Sequence, residues 1–551
     1  MCDANRASII SEATREGRGR QHAFGEIAMS WSRHRLVAFL ITASCCFGHV
    51  LERAAAGESQ PARAPIRGIL YNEDDSHRFV LDPPGEMKPE RLDRLVDELA
   101  DSQVTVMLIC CNAKTVGFPS RVWDVHCRGF DPAKDNDQPY FGDVPKEDRE
   151  GLRRWAHNLK VMLDAGIDPM QRMIDRCRQR RIHPWVSIRM NDVHDAHLRR
   201  SPLHSRFWME HPEFWRYPDR FHAWNDRCLN YALKPVRDHM MALIREVCER
   251  YDMDGLELDW NRFPLHFREG EEIEQGKRLT EWLAEVRAVV REAEKRWNHP
   301  IWLAARVPAR PEVSHGTGLD AVTWARRGLI DHLIVAPFWA TTDYDIPVEQ
   351  WTELLKGTGV GVTAGLEIRV QPYPGGPVLP NTPQRRRGAA LAHLVRGSQG
   401  IYVFNYFEGR SEAGSELWQL FNELGSLEAL AKKDRSYVVT FVDINIPGKP
   451  IPPALPKRLA PKESAEFRLF IGPKPLAGAR GEVRLTLQPE NAQESSGVRA
   501  TLNGKEPANN RAEFSSDAFE EGYNVVRVTN DGPSPVRVEG VELAVRVAPR
   551  P

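Results

Sequence analysis

Between residues 66 and 410, short apolar runs alternate with stretches whose apolar residues recur every three or four positions. The first pattern predicts buried strands and the second amphipathic helices. Strands are expected at 66–71, 104–110, 182–189, 255–260, 301–307, 332–338, 361–368 and 400–404. Helices expected between them include 89–102, 170–180, 234–251 and 281–297. Eight β/α units predict a (β/α)8 TIM barrel, with an open doubly wound sheet as the alternative. No glycine-rich phosphate loop follows the first strand, which weighs against the open sheet. The stretches after the second and third strands, 113–165 and 190–233, read as long loops. In a barrel such loops build the face at the strand carboxyl ends, where active sites lie.

Near residue 430 the pattern changes to short strands of alternating polarity, at 437–444, 465–471, 482–487, 498–502, 523–528 and 536–547. Turn residues separate them, including Asn503-Gly504 and Asn530-Asp531-Gly532. This predicts an all-β sandwich over 431–551 behind a barrel over 64–430. The proline-rich stretch 447–456 is expected to cross between sheets. The sandwich shows no aromatic platform, so packing on the barrel is its expected role.

At the other end, 36–51 is one apolar run, preceded by Arg33 and Arg35 and followed by Ala54-Ala55-Ala56. That is the pattern of an export leader within residues 1–57, with Met29 as the expected true start. The run is short for a membrane span. Thr42 stands where a lipobox has an aliphatic residue, which argues against lipid anchoring. The mature chain is therefore expected to be secreted or periplasmic, with no membrane span.

The 551 residues carry a formal net charge of −1 with both signs intermixed, which excludes a nucleic-acid footprint. Fifteen tryptophans suit either a sugar cleft or an ordinary core. The cysteines beyond the leader are Cys110, Cys111, Cys127, Cys177, Cys228 and Cys248. One or two disulfides are expected in an oxidising compartment. The spacing matches no zinc pattern, and neither metal nor cofactor is expected.

The most informative stretch is 254–264, Asp-Gly-Leu-Glu-Leu-Asp-Trp-Asn-Arg-Phe-Pro. Side chains alternate along a strand, so Glu257 and Asp259 share one face and Leu256 and Leu258 the other. Two carboxylates facing a barrel interior are there for chemistry or for a partner arginine. Strand seven carries Glu367, and the loop after strand six carries Asp343 and Asp345. Strand three ends in Arg189-Met190-Asn191-Asp192-Val193-His194, strand five in Arg306, and strand eight leads to Tyr402, Asn405 and Glu408.

Glycoside hydrolysis uses two carboxyl groups flanking one bond. Acids on strands four and seven face each other across a barrel mouth, so Asp259 and Glu367 are the first pair. Glu257 is read as a deeper, pKa-tuning neighbour and Asp343 as the competing acid. Glu367 has an alternative reading as a salt-bridge partner of Arg306 or Arg369. The expected sugar contacts are Arg189, Asn191, Asp192, His194, Trp260, Arg262, Arg306, Tyr402 and Asn405. His194 and His197 with Asp192 admit a metal reading, but hydrogen bonding to substrate or a capped turn is preferred. The arginines near this mouth, Arg189, Arg262, Arg306 and Arg369, either read negative charge on a sugar or neutralise the barrel's own acids.

The 254–264 stretch resembles the strand-four motif of secreted glycosyl-hydrolase-like (family-10-like) TIM-barrel proteins, Asp-Gly-x-Glu/His-x-Asp-aromatic-x-Arg-Phe/Tyr-Pro. Leu229-Asn230-Tyr231-Ala232, Arg189-Met190-Asn191-Asp192 and His211-Pro212-Glu213 agree with that likeness. The resemblance spans most of 66–410 and places the family's strand-four aspartate on Asp259. It leaves the second carboxylate to geometry. The stretch is also similar to the chitinase pattern Asp-Gly-x-Asp-x-Asp-x-Glu, but Asn261 replaces the acid glutamate. The expectation is a glycosidase acting on a polysaccharide or oligosaccharide, acidic ones included. A non-catalytic carbohydrate-binding barrel and a metal-dependent barrel enzyme are the alternatives.

Overall fold

A computed structural model describes residues 65–406, 415–489, 497–509 and 512–547; the expected leader and Glu408 lie outside them. Eight parallel strands close into a barrel: β1 Gly68–Glu73, β2 Val104–Cys110, β3 His183–Arg189, β4 Gly255–Asp259, β5 Trp302–Pro308, β6 His332–Ala336, β7 Gly361–Leu366 and β8 Gly400–Phe404. β8 pairs back onto β1, so the sheet has no free edge. Each strand lies within two residues of its expected bounds.

Seven helices of seven residues or more are described: α1 Glu90–Asp97, α2 Arg149–Asp164, α3 Pro169–Gln179, α4 Lys234–Arg250, α5 Glu272–Trp297, α6 Val348–Leu354 and α7 Pro383–Val395. Their starts are written locally. The Asp168 carboxylate accepts from the backbone of Met170 and Gln171 ahead of α3, with Pro169 in the first turn. Two expectations need correction. α2 occupies the end of the stretch read as a loop, because Trp155, Leu159 and Met162 bury one face of an otherwise polar helix. α5 begins well before residue 281, where the acidic residues Glu272 and Glu274 in its first turn suit a helix N-terminus.

The barrel has two apolar layers. Leu256 and Leu258 of β4 face the helices, in the large core cluster. Leu70, Val106, Leu108, Trp185, Ala304, Ile334, Tyr402 and Phe404 fill the interior. The expected disulfides are absent among the described residues: all six thiols are free and all but Cys127 are buried. Each is packed into the fold locally, and Cys110 and Cys111 are chain neighbours that point to opposite faces.

The C-terminal part forms two antiparallel sheets. Its strands are β9 Arg435–Val438, β10 Lys457–Leu459, β11 Ser464–Phe470, β12 Arg480–Pro489, β13 Val498–Leu502, β14 Glu513–Ser515, β15 Tyr523–Asn530 and β16 Val536–Arg546. One sheet runs β9-β16-β12-β14 with β10 also on β16, and the other runs β11-β15-β13. β10 and β14 have three residues each, too few to show an alternating pattern in the sequence. β9 stops at Val438, and the chain from 439 to 456 carries no further strand. No helix among the described residues is long and apolar enough to cross a membrane.

Candidate active site

Strand register sets the site in levels. Ser187, Glu257 and Ala304 stand side by side on β3, β4 and β5, and Arg189, Asp259 and Arg306 stand one level nearer the mouth. Beneath them Gly255 is required, because a Cβ there would lie 2.4 Å from the Trp185 ring. The glycine of the motif is thus a packing demand, while its Glu257 and Asp259 face the barrel interior.

Arg306 is the hub. It is fully buried, and its Nη1 donates to both carboxylate oxygens of Asp259 at 3.1 Å. Its Nη2 donates to Glu367 Oε1 at 3.3 Å and to the carbonyl of Pro337 at 3.3 Å. Asp259 Oδ1 also accepts the backbone N–H groups of Asn261 and Arg262, at 3.0 and 2.9 Å. The two carboxylates expected to form a pair therefore share one guanidinium, and the salt-bridge reading of Glu367 holds for Arg306.

Below this clamp Glu257 is sealed from solvent. Burial, with the charge of Asp259 beside it, pushes its carboxyl up to about 8, while Ser187, Arg306 and Tyr402 pull the other way. Neither Glu257 oxygen meets the geometry of a full hydrogen bond. Burial and the neighbouring Asp259 thus favour the neutral form of Glu257.

A second polar cluster lines the mouth over β1 and β3. Arg189 is paired with Asp74 and, at 3.4 Å, with Asp192. The His194 Nδ1 lies 2.8 Å from Asp192 Oδ1, and Arg262 Nη2 lies 2.7 Å from His194 Nε2. Arginine can only donate, so Nε2 accepts and the proton sits on Nδ1, pointing at Asp192. Burial also lowers the His194 pKa, against the pull of Asp192. Burial alone would raise Asp74 and Asp192, but Arg189 and Ser76 outweigh it for the first, and His194, Lys114 and Arg189 for the second. Both of these acids end well below the ordinary carboxylate range. His194 is the open member of the cluster, its side chain 26% exposed against 1% for Asp192. Both its nitrogens are engaged and His197 is exposed, so a turn-capping, hydrogen-bonding role fits this loop better than metal ligation.

Several residues of this cluster were not singled out from the sequence. Glu73 ends β1 and Asp74 and Asp75 follow it, in a run Asn72-Glu73-Asp74-Asp75 that breaks the apolar strand. Burial, opposed by Arg78 and reinforced by Asp74, pushes the Asp75 carboxyl up to about 7. Lys114 donates to the carbonyl of His194 at 2.7 Å, and burial brings its ammonium down to about 8.

Other expected site residues are placed elsewhere. Trp260 is fully buried among Tyr231, His266, Trp282 and Trp324, on the helix side. Its position shares the parity of Leu256 and Leu258, so it continues their outward face. Tyr402 lies in the barrel interior, sealed beneath the mouth. Asn191 stitches two loops: its amide donates to the carbonyls of Leu229 and Leu265 and accepts from the backbone of Leu229. Asp343 is not a free acid but the buried partner of Arg310, which holds its carboxyl down against the effect of burial. Asp345 turns towards the sandwich, 2.6 Å from Arg396 and 2.8 Å from the Tyr523 hydroxyl. Asn405 is buried at the exit of β8 with φ +52°, a conformation asparagine tolerates.

Residues 151–286, which contain β3, β4 and much of the second polar cluster, match the family described as glycosyl hydrolase-like 10. The glycosyl hydrolase DigH of Escherichia coli O6:H1 is 20% identical over 256 residues, 38% of this chain and 55% of the relative. Among solved structures, an α-L-fucosidase from Paenibacillus thiaminolyticus is similar at 12% identity and a TM-score of 0.38, over 66% of this chain and 49% of that one. An α-galactosidase from Geobacillus stearothermophilus is similar at 9% identity and a TM-score of 0.34, over 84% of this chain and 55% of that one. The chain spans about half the length of these relatives.

Proposed function

We propose that this barrel is a glycosidase whose reacting carboxylate is Glu367, held with Asp259 by the shared guanidinium of Arg306. The observation that carries the reading is that clamp at the mouth. Two acids from β4 and the end of β7 are brought to one point where a glycosidic bond would lie between strand ends. Asp259 has both oxygens on Arg306 and no exposure, so it acts as the anchor that fixes Arg306. Glu367, one residue past β7, meets the sugar as nucleophile or base. His194, the open end of the second cluster, borders the sugar site with both ring nitrogens held by Asp192 and Arg262. The match to the glycosyl hydrolase-like family over β3 and β4 supports the class of reaction. Arg189 and Arg306 serve acids of the barrel itself, so neither is read as a contact to an acidic sugar.

The test is reducing-end release from xylan, chitin oligosaccharides, polygalacturonate and hyaluronan, with wild type, Glu367→Gln and Asp259→Asn in parallel. Release by wild type that falls at least a hundredfold in Glu367→Gln, with the fold kept, is the expected result. Full activity in that variant overturns the assignment of Glu367. The engagement of Asp259, with three donors on Oδ1 and Arg306 also on Oδ2, favours one second reading, a sugar-binding barrel without hydrolysis. It predicts glycan binding with no release from any polymer.

A further inference from the structure

The segment that leaves β9 returns to the barrel and takes hold of its mouth. Asp443 accepts three consecutive backbone N–H groups there: Phe338 at 2.9 Å on Oδ1, and Trp339 and Ala340 at 2.7 and 2.8 Å on Oδ2. Consecutive amides converging on one point make a concave anion site. Here the anion is a side chain of the C-terminal part of the same molecule. Ile444, the next residue, seats the segment by packing with Leu265 and Val313, close to Trp224 and Phe338.

The same loop is gripped from its other end by the acid–guanidinium clamp. Asn261 Nδ2 donates to the carbonyls of Ala336 and Pro337 at 2.9 and 2.8 Å, and Arg306 Nη2 also donates to Pro337. A five-residue bridge, 336–340, therefore runs from the guanidinium that holds Glu367 to the carboxylate of Asp443. On that bridge stands Trp339, half-buried, with the Arg369 guanidinium 4.8 Å above its ring. Thr342, further along the same loop, bonds the carbonyls of both Glu367 and Arg369 at 2.8 Å, which lays the loop beside that stretch of chain. Arg369 takes one face of that indole, which leaves the opposite face as the one on which the CH groups of a pyranose would stack.

We infer that Asp443 is a positioning residue of the active site, and that the Trp339 it fixes is the platform on which the sugar ring stacks beside Glu367. This rests on the glycosidase reading above. It changes the role of the C-terminal part from a packed neighbour to a supplier of one of the groups that shape the sugar subsite.

The experiment is a double-mutant cycle on the polysaccharide that wild type cleaves, combining Asp443→Ala with Trp339→Ala and reading kcat and KM separately. Hydrogen exchange at 336–342 is followed in each variant. Asp443→Ala is expected to speed exchange at 338–340 and to raise KM at least tenfold with a smaller change in kcat. Trp339→Ala is expected to raise KM similarly, and the double variant to be no worse than either single one, because both remove the same platform. Glu542→Gln, which breaks the Arg385–Glu542 ion pair elsewhere between the two parts, is expected to keep the wild-type KM. Asp443→Asn retains one acceptor oxygen and is expected to fall between, which covers the case where the alanine variant does not fold. Fast exchange at 338–340 with a wild-type KM overturns the inference, as do fully additive effects of the two substitutions. Wild type that neither binds nor cleaves any polymer overturns the glycosidase reading, and the inference with it. Wild type that cleaves, with KM indifferent to Asp443 and Trp339, overturns the inference alone.

Discussion

At the scale of single residues, the mouth is a balance of buried charges, and removing one member exposes the rest. Arg306→Ala leaves Asp259 and Glu367 buried without their shared cation, and should destabilise the protein by about 3–5 kcal/mol. Urea denaturation measures this, and a loss below about 1 kcal/mol would mean that water replaces the guanidinium at little cost. Glu257 behaves in the opposite sense. Its carboxyl is raised in the folded chain to about 8 from an ordinary value of 4.5. As pH climbs between those values the unfolded chain ionises while the folded one keeps its proton, so stability drains away across that window. Glu257→Gln removes this effect, and its melting temperature should gain on wild type as pH rises from 5 to 8. Parallel melting curves across that range would expose an ionised Glu257. Asp259 and Glu367 were legible as strand-end acids because alternation places them inward. What the sequence could not decide was whether the nearby arginines serve a ligand or the barrel. Arg189 and Arg306 serve the barrel. Asp74 and Asp75 were passed over although they follow an apolar strand, because the partner of Asp74, Arg189, lies far along the chain on β3, while that of Asp75, Arg78, is only three residues away.

Elements follow the same logic at longer range. The alternation along β4 does not stop at its last residue: Leu256, Leu258 and Trp260 form one outward stripe, and Glu257 and Asp259 one inward stripe. A tryptophan next to a site acid invites a sugar-stacking reading, but parity sends it into the helix layer. Trp260→Ala should therefore cost about 3–5 kcal/mol as a core truncation. Trp260→Phe should fold, and its KM should match wild type; a raised KM in a stably folded variant would restore a substrate role. Barrel strands were legible because buried parallel strands read as continuous apolar runs. α2 was harder, since its buried residues are spaced through Arg, Lys and Glu in a stretch already taken as loop. The α5 start was obscured by its acidic first turn, which favours a helix N-terminus without adding any apolar periodicity.

Across the whole molecule, the shift in pattern near residue 430 marks a change of architecture but not a separation of parts. A strap such as 439–449 has no periodicity of its own, and its partners, Leu265, Val313 and the loop after β6, are set only by the folded barrel. The joint is wide: Asp345 meets Tyr523, Arg385 meets Glu542, and Tyr523 and Arg396 contact each other. It is also tight. Gly388 of α7 lies so close to β9 that a Cβ there would stand 2.1 Å from the Ser436 carbonyl oxygen. Backbone cannot yield as a flexible side chain does, so Gly388→Ala must push α7 off β9, at a cost of about 1–3 kcal/mol. If the barrel and sandwich were independent, that strain would lower the melting of one and leave the other alone. With contacts of this kind they should melt together, in one calorimetric transition that Gly388→Ala shifts as a whole. Two resolved transitions, only one of them moved by the substitution, would show that the joint is a contact between autonomous domains. The strap would then be free to leave the mouth while the barrel stayed folded.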